Sequence, residues 1–156
     1  MNDEYVMPPV YVEEFEIGGR EVVIDPSAFM WNETTVNDWF PKASGLYIYL
    51  GQVLEDAGSD MEEAKREHLI TYNEKFIHHK EEGAANDLAK ARAENEPDVI
   101  AKDKALHKKK RVHSKIKTHH NSLYRSMSLA ENRAHTLRKE MEKMHYDMYA
   151  ASQLKD

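Results

Sequence analysis

From Leu123 to Ala151 the apolar residues recur at alternating steps of four and three: Leu123, Met127, Ala130, Ala134, Leu137, Met141, Met144, Met148 and Ala151. Val112 and Ile116 extend the series upstream. Such a stripe is the narrow seam of a helix that packs lengthwise on another helix. No Pro or Gly follows Pro97, so the pattern predicts one helix from about 97 to 152, roughly 80 Å long at 1.5 Å per residue. A helix that long does not bury itself and needs a partner.

A second seam lies upstream. Ala43, Leu46, Leu50, Val53, Ala57, Met61, Ala64, His68, Tyr72, Phe76 and His79 keep helical spacing and predict a helix over about 42–82. Gly58-Ser59-Asp60 is a weak point in it, with capping-box spacing to Glu62 and Glu63, but the phase of the seam carries through. Before it, Asn32 precedes a short helix over about 33–40, which Pro41 ends or kinks. After it, Gly83 suits a helix C′ position. A short helix over about 87–94 follows, broken at Asn95-Glu96, and Pro97 suits the first turn of the last helix.

Only residues 10–25 read as strand. VYVEEFEI and REVVID flank Gly18-Gly19, a β-hairpin signature. A lone β-hairpin is marginal in water, so it has to lie on the helices, lie on a neighbouring subunit, or stay mobile. The fold class is mostly all-α: an elongated antiparallel helical hairpin with a long C-terminal helix and a small N-terminal β-hairpin-like region. Two regions result, an acidic N-terminal stretch over 1–32 and a helical hairpin domain over 33–156. The longer last helix overhangs its partner, which leaves Leu137, Met141, Met144 and Met148 open. An open apolar seam predicts a homo-oligomer.

Charge changes this picture. The 156 residues carry a formal net charge of −6, but unevenly. Residues 1–64 hold 14 acids against Arg20 and Lys42, a net of −12; residues 102–125 hold nine Lys or Arg against Asp103, a net of +8. Lys104, Lys108, Arg111 and Lys115 fall near one line beside the apolar seam; Lys109, Lys110 and Lys117 point elsewhere. A row of cations suits phosphates without reading bases. It equally suits the solvated face of a coiled coil. Against that second reading, the alternating-sign pattern of exposed coils is missing, and no acid sits four residues before any of these cations. An acidic end and a basic end also suit head-to-tail contact between subunits.

Candidate chemistry adds little. There is no cysteine, so neither a disulfide frame nor a thiolate metal site is expected. Four of the nine histidines form two adjacent pairs, His78-His79 and His119-His120, whose members point about 100° apart on a helix, and no HExxH is present. No metal and no cofactor is expected. Phosphate-binding glycine loops and nucleophile elbows are also missing, so no active site is expected. Trp31, Trp39 and Phe40 sit where packing explains them better than base stacking. No run approaches the ~20 apolar residues of a membrane span, and Met1–Tyr5 is acidic rather than basic, so a cytoplasmic protein is expected.

The order of these parts, with DWFPKASGLYIYLGQVLEDA, KFIHHKEEG, AANDLAKARAENEP and the SLYRSMSLAENRAHTLR stretch, resembles the small recombination-mediator family of tailed phages (UvsY-like) over about residues 35–145. The resemblance implies a non-enzymatic protein of the host cell cytoplasm that forms ring-like oligomers and binds single-stranded DNA. It also implies that the protein helps a recombinase displace single-strand-binding protein. It places DNA-contacting cations near the end of the first long helix, where Lys75, His78, His79 and Lys80 stand here. The alternative is a structural or inhibitory coiled-coil module whose basic helix docks an acidic protein partner.

Overall fold

The computed structural model describes residues 11–153; positions 1–10 and 154–156 lie outside it. The chain forms strands β1 (Glu13–Ile17) and β2 (Arg20–Ile24), a 3-10 turn (Pro26–Phe29), and helices α1 (Val36–Glu81), α2 (Asn86–Glu94) and α3 (Pro97–Gln153). The helices α1 and α3 lie against each other as a helical hairpin, with α2 tucked into the turn between them.

The β-hairpin is ordered and rests on the helices of its own chain. β1 and β2 pair antiparallel, with Phe15 opposite Val22 and Ile17 opposite Arg20. Gly18 and Gly19 turn the chain with φ of 58° and 71°. Two successive positive φ values are the primed turn that matches strand twist. Alternation sends Phe15, Ile17, Val22 and Ile24 inward, where they join Trp39, Leu50, Val53, Ile116 and Leu123 in one hydrophobic core. The acidic N-terminal region and the helices therefore share a single core.

Polar contacts fix this docking. The Gly18 N–H donates to Asp60 at 3.1 Å, and Arg20 pairs with Asp56. Trp31 Nε1 donates to the Ser126 carbonyl at 3.1 Å, and the Ser126 hydroxyl donates to the Phe29 carbonyl at 2.6 Å. Trp39 Nε1 donates to the Ala28 carbonyl at 2.8 Å. Both tryptophans are packing residues, as their position predicted.

Pro41 does not end a helix. α1 begins at Val36, so the predicted short helix over 33–40 and the long one over 42–82 are one element. The reason is position: Pro41 stands in the second turn, where its missing N–H costs only the bond to the Asn37 carbonyl, and Asn37 is exposed to water. Asn32 caps the turn that feeds α1, its Oδ1 accepting from the Thr34 and Thr35 N–H groups at 3.0 Å.

The Gly58-Ser59-Asp60 stretch is likewise helical throughout. Ser59 bonds back to the Glu55 carbonyl at 3.1 Å instead of capping a new helix. α1 ends in a Schellman motif. Gly83 takes φ of 88°, with Gly83 N–H donating to the Lys80 carbonyl and Ala84 N–H to the His79 carbonyl.

Packing is uneven along the helical hairpin. Leu50, Val53, Ile116, Leu123 and Ala130 are fully buried where the β-hairpin adds a third layer. At the turn, the small residues Ala89 and Ala93 let α2 approach closely. Between these ends, Met61, Ala64, His68, Tyr72 and Phe76 are only half-buried. Beyond Arg138, α3 outruns the start of α1. Leu137 is still half-covered within the chain, whereas Met141, Met144 and Met148 are 67%, 63% and 70% exposed.

Candidate nucleic-acid interface

Basic residues line the outward side of α3, because its inward side is committed to Val99, Leu106, Ile116, Leu123 and Ala130. The predicted cations fall into two groups. Lys104, Lys108, Arg111 and Lys117 are exposed and, among the described residues, none has a carboxylate within 4 Å. Lys104, Lys108 and Arg111 share one side of α3 over about 10 Å of rise, and Lys117 lies about 120° round the helix from Arg111.

Lys109 and Lys115 behave differently. Lys109 Nζ lies 2.7 Å from the Asp60 carboxylate, which also receives the Gly18 N–H. Lys115 Nζ lies 2.9 Å from Glu13 and over the Phe15 ring at 5.8 Å. These two lysines anchor the β-hairpin to α3. Lys75 and Lys80, taken from the family resemblance, sit at the far turn. Lys75 pairs with Asp98 at 3.3 Å, and Lys80 donates to the Ala84 carbonyl at 3.1 Å. They hold the turn closed and lie apart from the exposed row.

The β-hairpin gives the row an acidic border that the sequence had not located. Glu14 and Glu16 of β1 line, together with Lys108, Lys109, Phe15 and Val112, a cavity of about 370 Å³. An anion approaching Lys108 meets cations on α3 and carboxylates on β1, so the track is open on the outer side of α3 and fenced on the β-hairpin side.

Two acids that take the anchoring lysines, Glu13 of β1 and Asp60 of α1, carry lowered pKa values. The Lys115 hydrogen bond is the main cause for Glu13; partial burial pushes the other way, and the Lys115 charge and His119 add to the lowering. For Asp60, burial is the largest single influence and pushes upward. The Lys109 hydrogen bond, the Gly18 N–H and the Lys109 charge together outweigh it.

A carboxyl lowered in the folded state contributes stability above its unfolded pKa, about 4.3 for Glu, and loses it as pH falls through the folded value. Glu13→Gln should therefore be less stable than the parent at pH 6, by up to about 1 kcal/mol for so exposed a pair. That gap should close by pH 3, as urea unfolding at the two pH values will report.

The histidines mostly serve the helix seam. The His113 ring lies 3.8 Å from where a Cβ on Gly58 would sit, and the His120 ring lies 3.7 Å from the same point on Gly51. His120 also stacks on Tyr47 at 4.3 Å. Two glycine notches seven residues apart on α1 thus receive two imidazoles seven residues apart on α3. That matched spacing was the available signal, and it explains why Gly58 interrupts the α1 seam. His79 bridges Glu82 and Glu96 at 3.1 and 3.0 Å, tying the turn together. Among the described residues, no three His, Asp or Glu side chains converge as a metal site, and no helix is long and apolar enough to cross a membrane.

Comparison with protein-family models, curated proteins and solved structures returns no match to this chain.

Proposed function

We propose that the chain is a non-enzymatic single-stranded DNA-binding protein that acts as a recombination mediator in the host cell cytoplasm. The observation that carries this reading is the exposed row Lys104, Lys108 and Arg111. It is a run of cations on one helix, none of which has a carboxylate of a described residue within 4 Å. A row of this kind meets a phosphate backbone through charge and is largely indifferent to sequence. The open seam at Met141, Met144 and Met148, with half-covered Leu137 at its base, supports assembly into a homo-oligomer. A ring would repeat the row around its surface. Loading of a recombinase and displacement of single-strand-binding protein follow from the family resemblance.

The test is a fluorescence-anisotropy titration of a labelled single-stranded oligonucleotide and its matching duplex at 50 and 200 mM salt. Three engaged cations at a single-strand slope of about −0.7 each predict a loss of about 20-fold in affinity across that interval. Absence of binding at 50 mM salt removes nucleic acid from the account.

The acidic border makes a further expectation. Glu14→Gln with Glu16→Gln should tighten single-strand binding several-fold by removing like-charge repulsion of phosphates near Lys108. An unchanged or weaker affinity shows that the strand passes elsewhere.

A second reading is a structural or inhibitory coiled-coil module whose basic helix docks an acidic protein. What favours it is that α3 already accepts carboxylates from its own chain, at Lys109 and Lys115. On this reading the exposed row takes further carboxylates from a partner, and neither oligonucleotide binds.

A further inference from the structure

At the end of the exposed row nearest the helical turn, α1, α2 and α3 diverge around a cleft of about 410 Å³. This is within the size range of small-molecule sites. Its walls are unlike the rest of the basic face. Val99, almost fully buried, and Ile100 give one apolar side. The half-buried Tyr72 ring, backed by a parallel Phe76 ring with centroids 6.4 Å apart, gives the other. Asp103 and Glu94 place carboxylates at the cleft; His107 Nδ1 lies 3.3 Å from one Asp103 oxygen and His68 Nε2 lies 4.0 Å from the other. Lys104, the first cation of the row, stands at the lip.

These walls select an occupant. Two carboxylates disfavour an anion inside the cleft, so a phosphate or an acidic side chain is a poor fit there. A flat neutral ring that carries hydrogen-bond donors fits both the apolar walls and the carboxylates. The lysine at the lip requires that ring to be joined to an anion. A nucleobase on its phosphodiester backbone meets all three conditions. Aromatic faces stack on bases, and Asp or Glu accepts from an exocyclic amine such as cytosine N4.

We propose that this cleft receives one unstacked, amine-bearing nucleobase of the strand that lies along Lys104, Lys108 and Arg111. The inference rests on the single-stranded DNA reading and gives it a physical basis for strand preference. A phosphate row alone accepts duplex equally well, whereas a paired and stacked base cannot enter the cleft.

The test uses the full chain and three labelled oligonucleotides of equal length: oligo-dC, oligo-dT and a strand with abasic sites at every other position. The wild-type protein should bind oligo-dC about tenfold more tightly than oligo-dT, and the abasic strand more weakly than either. Tyr72→Leu should lower oligo-dC affinity about tenfold and leave both the salt slope and the abasic affinity unchanged.

Because Tyr72 also packs in the seam, Asp103→Asn on the exposed side of the cleft serves as the second variant. It should reduce the dC-to-dT preference toward one without weakening the abasic strand. Equal binding of all three strands, with both variants matching the wild type, overturns the cleft assignment while leaving the phosphate row standing. Failure to bind any strand overturns both together.

Discussion

Reversing charge at two positions, Lys108→Glu with Arg111→Glu, should weaken single-strand binding by about 100-fold at 100 mM salt while leaving thermal stability within a degree or two. Each substitution removes one phosphate contact and adds one repulsion. At about 1.4 kcal/mol per tenfold, the pair then amounts to roughly 3 kcal/mol. Neither side chain holds the fold. Both are exposed, and neither takes part in a salt bridge with a described residue. The charge-matched comparison uses two neutralising pairs, each removing two positive charges from α3: Lys108→Gln with Arg111→Gln, and Lys109→Gln with Lys115→Gln. Lys109 and Lys115 anchor the β-hairpin, so that pair should lower stability measurably and affect DNA binding less. If both neutralising pairs weaken binding equally, affinity follows net charge and not the exposed row.

The largest expected stability effect lies in the β-hairpin. Ile17→Ala should cost about 2–5 kcal/mol, the usual range for truncating a fully buried aliphatic side chain. For a chain of this length each kcal/mol moves the midpoint by about 2–4 °C, so the fall should approach 10 °C or more. Ile17 is 0% exposed, as are Leu50 and Ile116, and all three belong to one core. The unfolding transition of Ile17→Ala should therefore stay single and shift as a whole, as it should for Leu50→Ala. Two separated transitions by calorimetry would show that the β-hairpin is an appendage that can detach from an intact helical pair.

Much of this architecture was legible from residue spacing. The seams of α1 and α3, the Gly18-Gly19 turn, the Gly83 helix end and the overhanging Met141, Met144 and Met148 all follow from local rules of period, turn geometry and length. What spacing could not provide was any contact between distant segments. Nothing local to Glu13 or Lys115 says that they pair, so the acidic border of the basic row was out of reach. The sign of each segment was readable, but not that one covers part of the other in the same chain. Pro41 was misread for a related reason: the cost of a proline depends on how many helical turns precede it. The half-buried cleft beside Lys104 draws on three helices at once and has no signature in any one of them.

The β-hairpin is closed off by partners very far along the chain. Glu13 meets Lys115 and Trp31 meets Ser126, separations of 102 and 95 residues. A helical hairpin by itself folds fast, because its contacts are largely local. This one cannot complete its core until the segment around Ser126 is available. During synthesis, about 100 residues must follow Trp31 out of the ribosome before its indole N–H finds its acceptor, several seconds at the usual elongation rate. In that interval the apolar side of β1 and β2 and the inner face of α1 have no α3 to cover them. A net charge of −12 over residues 1–64 gives the emerging segment a like-charge repulsion that opposes association until the basic helix arrives. The same carboxylates that fence the finished cationic row thereby protect the unfinished chain from association.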